Sequence, residues 1–304
     1  MPELCNALTV DVEDYFQVSA LAPHIPRADW ERMPCRVERN VDLILAMLEE
    51  TRSQATFFVL GWIAERYPGL VRKIAAAGHE VASHGYGHQR ASDLERGEFV
   101  DDVTRAKALL EELTGAEVKG YRAPSFSIGK ENGWAFECLA RAGSVYSSSV
   151  YPVRHDHYGM PEAPRIPYLA HPALLEIPVT TARLLNTNVP AGGGGYFRLF
   201  PYQVSRMLIR QVNKAEHRPA VFYFHPWELD PDQPRIAGAS LKTRFRHYLN
   251  LARTESRLRR LLSDFQWRSM EHVFLAAEEG GKAAEQRTTR ALVTNVRASN
   301  AGSR

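Results

Sequence analysis

Along most of this chain, a short run of β-branched, aromatic or other apolar residues is followed by a stretch of helical periodicity, and that alternation admits few folds. Each pair reads as a strand plus the helix that carries the chain back to start the next strand alongside, so successive strands run parallel. The runs are Leu8 to Val12, Ala55 to Val59, Glu80 to Ala82, Val118 to Tyr121, Val145-Tyr146, Leu174 to Val179 and Val221 to Phe224. The last is apolar throughout, as a strand covered on both faces must be. About seven strand–helix units in ~270 residues favour a closed or nearly closed α/β barrel over an open doubly wound sheet. No GxGxxG follows the first strand, which also speaks against a dinucleotide fold.

The helical stretches carry their own punctuation. Asn40 is the expected cap of a helix through Val41, Ile44, Leu45 and Leu48. A second helix is expected from Trp62 to Ala77, ended by Gly78. Ser92 and Glu95 have capping-box spacing before a helix that carries Val103, Ala106, Leu110 and Leu113 on one face and stops at Gly115. The stretch from His155 to Pro201, with Gly192 to Gly195 inside it, breaks the rhythm and reads as a long loop region over one face of the barrel. Beyond Leu241 a long amphipathic helix is expected, with Phe245, Tyr248, Leu249, Ala252, Leu258, Leu261, Leu262 and Phe265 on one stripe. Its opposite face holds Arg244, Arg246, Arg253, Arg257, Arg259 and Arg260. A solvated face is the plainer reading; the sharper one is peripheral contact with an anionic saccharide, a lipid-linked glycan or a membrane surface. Residues 276–304 are small, polar and aperiodic. They read as a disordered tail, which leaves one domain over 1–275, its helical extension 241–270 included.

Composition narrows the class without naming it. Hydrophobic residues at 44% exclude bulk disorder, and a net charge of +3 is too small to imply a nucleic-acid partner. No stretch approaches the ~20 apolar residues of a membrane span, and the N-terminus lacks the pattern of a cleaved signal peptide. Cys5, Cys35 and Cys138 form no CxxC pair and frame no disulfides, so a reducing, cytoplasmic setting is expected.

The informative feature is where the polar residues fall. In parallel barrels chemistry collects at the C-terminal ends of strands, because the loops there converge on one mouth. Asp11-Val12-Glu13-Asp14 follows the first expected strand, His84-Gly85-Tyr86-Gly87-His88 the third, Arg122 the next and His225 the last. Two histidines four apart plus a carboxylate from elsewhere is the donor set of a catalytic zinc or similar ion. Strand alternation puts Asp11 and Glu13 on one face, with Asp14 turned away if the strand continues. One carboxylate can then ligate while another takes a proton from water; a helix cap or a solvated loop is the plainer reading of Asp14. Arg122, at a buried strand end, needs a carboxylate, and Asp11 is its natural partner. His225 is either a satisfied core histidine or a general acid for a leaving amine. Tyr86 and Trp227 are either core packing or walls for a sugar ring.

In this order, these motifs resemble the polysaccharide deacetylases of carbohydrate esterase family 4, with its NodB-homology fold. More narrowly, the chain is similar to the exosortase-associated deacetylases of bacterial exopolysaccharide clusters. The resemblance runs from about Leu8 to Trp267 and rests on Asp11, Thr56-Phe57-Phe58, Gly78-His79-Glu80, His84 to His88, Arg122 to Pro124 and Phe224-His225-Pro226-Trp227. It implies a distorted (β/α)7 barrel and metal-dependent N-deacetylation of an N-acetylhexosamine polymer. It also implies a divalent metal cofactor, zinc first and cobalt or nickel next. Asp11 matches the catalytic base, His84 and His88 the metal-binding histidines, Arg122 the arginine that orients the base, and His225 the catalytic acid. Tyr86, Pro124 and Trp227 are the implied substrate contacts. The family's second aspartate is replaced here by Val12, which moves the metal carboxylate to Glu13, with Asp14 as a second candidate. Ser147 stands where relatives often carry an aspartate that tunes the histidine acid, and Asp156 is the nearby substitute. Hydrolysis of another linear or cyclic amide, or non-catalytic polysaccharide binding, are the competing readings.

Overall fold

The computed structural model describes residues 4–155 and 159–275. The expected tail over 276–304 and Asp156 lie outside the described residues. In chain order the strands are β1 (Cys5–Val12), β2 (Thr56–Val59), β3 (Glu80–Ser83), β4 (Gly120–Tyr121), β5 (Tyr146–Ser147), β6 (Tyr168–His171), β7 (Leu174–Glu176), β8 (Thr181–Leu184), β9 (Thr187–Pro190), β10 (Val221–Phe224) and β11 (Gln266–Arg268). The helices are α1 (Val37–Thr51), α2 (Gly61–Arg66), α3 (Pro68–Ala76), α4 (Arg96–Thr114), α5 (Trp134–Arg141), α6 (Gly194–Leu199), α7 (Tyr202–Lys214), α8 (Leu241–Tyr248) and α9 (Leu251–Asp264).

β10, β1, β2, β3, β4, β5 and β7 lie side by side, every neighbouring pair parallel. β6 adds antiparallel to β7, and β11 pairs with the start of β1. The sheet curls, but β7 and β10 do not pair. Irregular chain bridges that gap: Val221 N–H donates to Thr180 Oγ1 (2.6 Å) and Tyr223 N–H to Gly192 O (2.9 Å). The α/β class and the seven parallel strands are as expected, and the ring is completed by loops instead of a ladder.

Alternation along β1 decides what faces the barrel interior. Leu8, Val10 and Val12 pack into the outer core with Ile44 and Leu48 of α1 and Leu261 of α9. Ala7, Thr9 and Asp11 therefore point to the opposite face, where Ala7 meets Phe58, Ala82 and Tyr146. Asp11 is thus presented inside the mouth by the strand's period of two.

Several expected boundaries shift, each for a physical reason. α1 begins at Val37 and buries Asn40 within it. Its first N–H groups, those of Arg36 and Val37, donate to the Asp14 carboxylate, a cap that comes from a distant part of the chain. The expected helix from Trp62 to Ala77 is two, α2 and α3, broken at Tyr67. The cause is Pro68, because the residue before a proline is driven out of the helical region. The capping box of α4 uses Glu95 and Glu98 in place of Ser92 and Glu95; Ser92 sits in a preceding 3-10 turn. The expected loop over 155–201 contains β6 to β9 and α6.

The single helix expected beyond Leu241 is also two, α8 and α9, separated at Asn250, whose φ is 54°. Asparagine tolerates that left-handed conformation. Its Nδ2 donates to Arg198 O (2.8 Å). Asn250→Gly should lose the hydrogen bond but also relieve the left-handed strain of a Cβ, for a net loss under about 1 kcal/mol. Asn250→Ala should lose the same bond with its Cβ still in the left-handed region, for a loss of about 1–2 kcal/mol. Urea unfolding of the two variants checks that order; equal losses would overturn it. On α9, Arg257 Nη1 donates to the carbonyls of Phe197, Arg198 and Phe200, and Arg259 pairs with Glu50 and Glu255. Part of the expected basic face is therefore turned to the protein itself. No helix of the described residues is long and apolar enough to cross a membrane.

Candidate active site

Four strand ends bring their polar residues to one place. β1 ends at Val12, and a tight turn in which Glu13 N–H donates to Asp11 O (3.0 Å) keeps Glu13 beside Asp11. Arg122 follows β4 with its guanidinium fully buried. Its Nη1 donates to Asp11 Oδ1 (2.6 Å) and Thr9 Oγ1 (2.7 Å), its Nε to Ser148 O (3.0 Å) and its Nη2 to Ser148 Oγ (2.9 Å). The guanidinium also lies 4.1 Å over the Phe58 ring, a cation–π contact. Every edge of the fork is used, which fixes Asp11 Oδ1. Oδ2 is left on the side of His225, 3.9 Å from its Nε2.

The loop after β3 carries the two histidines. Asp102, on α4, accepts from Tyr86 N (2.8 Å) and Gly87 N (3.2 Å) and so holds the loop from the helix side. Gly85 has a φ of 73°, and a Cβ there would press on Asp102 Oδ2. Glycine is required on both counts. His88 itself has a φ of 54°. Strain of that kind tends to be kept where a side chain must be aimed. His84 Nδ1 is 2.8 Å from Arg122 O. That carbonyl can only accept, so Nδ1 carries the proton and Nε2 keeps its lone pair. Burial lowers the His84 pKa to about 4, which keeps the ring neutral.

Glu13 sits between two imidazoles, with Oε2 2.8 Å from His88 Nε2 and Oε1 3.0 Å from His225 Nε2. Burial alone would raise its pKa, but His88 and His225 outweigh that and bring it to about 2. His225 follows β10 and is the most open of the group, its side chain 18% exposed against 4% for Glu13. Burial would lower its pKa, yet the carboxylates of Glu13, Glu228 and Asp11 hold it up at about 9.

The structure therefore brings together Asp11, Glu13, His84, His88, Arg122 and His225. Asp14 does not join them. Its Oδ1 accepts from Tyr15 N (2.8 Å) and its Oδ2 from Cys35 Sγ and the start of α1, so its carboxylate is spent on capping. Tyr86 is turned to the helix layer, where its hydroxyl meets Glu65 of α2 and Arg105 of α4, and it does not wall the cleft. Trp227 is buried behind His225, stacked on it at 5.2 Å and on His247 at 4.3 Å, so it cannot serve as a sugar platform. Pro124 opens a buried 3-10 turn in which Ser125 and Phe126 both have positive φ. Ser147 bonds to Ser149 Oγ (2.8 Å) and makes no contact with His225. The carboxylate at the Nδ1 side of His225 is that of Glu228, whose Oε1 lies 2.7 Å from that nitrogen. Sequence reasoning missed Glu228 and Asp102. For Glu228 a signal was present: an acid three residues after a histidine, in a turn opened by proline.

Among the described residues, no three His, Cys, Asp or Glu side chains stand as a ready-made ion-binding group. The donor chemistry nevertheless fits a divalent ion. His84 is neutral, and its Nδ1 is anchored on a carbonyl, the usual outer partner of a metal-binding imidazole. Glu13 is ionised, and its buried Oε2 makes no hydrogen bond of good geometry.

Residues 30–138 match the family model described as polysaccharide deacetylase, and residues 148–275 match Domain of unknown function (DUF3473). A chitooligosaccharide deacetylase of Bradyrhizobium sp. is 38% identical over 109 residues, 36% of this chain and 47% of that protein. A peptidoglycan-N-acetylglucosamine deacetylase of Bacillus cereus is 33% identical over 81 residues, 27% of this chain and 30% of that protein. The chain thus spans less than half the length of these relatives. A Mycobacterium smegmatis crystal structure assigned to the polysaccharide deacetylases superposes with a TM-score of 0.57 at 21% identity, covering 90% of each chain. A peptidoglycan deacetylase from Bacillus subtilis gives 0.51 at 13% identity, covering 95% of this chain and 98% of that one. The structural likeness concerns the fold. The two matched segments are not two units, because β5, which lies between them, pairs with β4 of the first and with β7 of the second in one sheet. Asp11 and Glu13 precede both segments, while His225 and Glu228 lie in the second.

Proposed function

We propose, from the premise that this chain belongs through its residues 30–138 to the polysaccharide deacetylase family, that it hydrolyses the N-acetyl groups of an N-acetylhexosamine polymer. The observation that carries the reading is the meeting of Asp11, fixed by Arg122, with His225 across a cleft also lined by Glu13 and His88. Relatives named for chitooligosaccharide and for peptidoglycan N-acetylglucosamine support the substrate class. The resemblance to exosortase-associated deacetylases directs the choice to a bacterial exopolysaccharide or its lipid-linked precursor.

Glu13, His84 and His88 would hold a divalent cation, zinc by the preference of imidazole and carboxylate donors. When bound, such an ion supplies positive charge that polarises an amide carbonyl and favours the ionisation of water. Asp11 Oδ2 takes the proton from the attacking water, its other oxygen being held by Arg122. The water oxygen joins the acyl carbon, the C–N bond breaks, and His225 Nε2 gives its proton to the departing sugar amine. Acetate and a free amine leave.

The test is elemental mass spectrometry of the purified chain and of a His84→Ala/His88→Ala double variant, beside acetate release from N-acetylated chito-oligosaccharides and exopolysaccharide. About one divalent ion per chain is expected, lost with activity in the variant. A wild type that takes up no Zn²⁺, Co²⁺ or Ni²⁺ and releases no acetate would overturn the reading and favour a polysaccharide-binding scaffold.

A further inference from the structure

The run Gly192 to Gly195 and the buried Arg198 just beyond it have no part in the reaction as derived. Gly192 and Gly193 lie against β10, with Gly193 bridged to Tyr223. α6 begins at Gly194, where any Cβ would overlap the Glu228 carboxylate. One turn on, Arg198 is 3% exposed, and its Nε donates to Glu228 Oε2 (2.6 Å). Its Nη1 donates to His247 O and Leu249 O, 2.9 Å each, which ties it to the end of α8.

Glu228 is fully buried and divides its two oxygens between two tasks. Oε2 is taken by Arg198, while Oε1 accepts from the backbone N of His225 (3.1 Å) and faces its Nδ1 at 2.7 Å. The imidazole plane is meanwhile stacked on Trp227 at an interplanar angle of 19°. Only Nε2 is left to face Asp11 and Glu13. A buried ion pair is a poor stability device, since apolar residues of similar volume often serve as well. A glycine kept small to admit that pair, and a carboxylate shared with an imidazole, point to aim.

We propose that Glu228 is the positioning residue of His225, and that Arg198 and Gly194 hold Glu228 in place, so that the segment matching a domain of unknown function supplies the whole acid side of the site. The proposal rests on the reading that His225 delivers the proton to the leaving amine. Glu228→Gln should lower kcat by about 10²-fold or more, since acid catalysis as a whole is worth about 10²–10⁴, with KM and bound metal little changed. In a His225→Ala background, Glu228→Gln should lower kcat less than about twofold, because residues that act as one unit are not additive. Gly194→Ala should move in the same direction as Glu228→Gln. Arg198→Met/Glu228→Gln removes both charges and guards against loss of fold through an orphaned one.

Independently of turnover, proton–nitrogen NMR of the full chain should show a protected imidazole N–H at His225 Nδ1 that Glu228→Gln abolishes. An unchanged imidazole signal, or an equal drop in kcat with and without His225, would overturn the proposal. A wild type with the signal but no deacetylase activity would overturn the proposed function and leave the Glu228–His225 assignment standing.

Discussion

Asp11→Asn is expected to lower the rate of acetate release by about 10²–10⁴-fold, the range of a lost general base. Asparagine keeps the shape and can still accept from Arg122 at one atom, but it cannot take a proton from water. Metal content should stay near the wild-type level, because the donors are Glu13, His84 and His88, and the Asp11 carboxylate is bound to Arg122 at 2.6 Å. Parallel measurement of turnover and bound metal separates the two roles. A variant with near-normal turnover would sink the assignment of Asp11 as base, and one with normal structure but no metal would make Asp11 a ligand.

Replacement of Arg122 should have the largest combined effect on stability and activity. Arg122→Met leaves the Asp11 carboxyl group without its partner in a site where its side chain is 3% exposed. The loss of one partner of a buried pair costs about 3–5 kcal/mol. Arg122→Lys keeps the charge but cannot reproduce donation from Nε, Nη1 and Nη2 to Asp11, Thr9 and Ser148. It should therefore recover only part of that loss. Adding Asp11→Asn to Arg122→Met removes the orphaned charge and should restore some stability while activity stays lost. Urea unfolding of the four proteins reads this directly. A double variant as unstable as the sum of the single ones would show that the two residues are not coupled.

Asp14 and Glu228 mark the limit of what local pattern can reveal. An acid that follows a strand, as Asp14 does, reads as a candidate ligand. The structure gives it to the N-terminus of α1, through a contact across 23 residues. Glu228 makes the contact with His225 for which the sequence, with Ser147 in place of the relatives' aspartate, offers only Asp156, because a 3-10 turn opened by Pro226 brings its carboxylate to the imidazole. Gly194, within the glycine run that reads as loop, opens α6 in close approach to Glu228, and the partner of a close approach is not written beside it. Asp102 is invisible for the same reason. It is one acid among many on an amphipathic helix until α4 packs beneath the histidine loop.

The alternation of strand and helix, the parallel sheet, and the position of Asp11, His84, His88, Arg122 and His225 at strand ends were determined by sequence alone. They follow from the period of apolar residues and from where each run stops, and both are local properties. Which carboxylate caps, which meets an imidazole, and which side chains face the cleft were decided only by tertiary structure. Those outcomes depend on the register between strands and on packing between segments far apart in the chain. Tyr86 and Trp227 are cases in point: each lies beside a site histidine in sequence, and packing turns both away from the cleft.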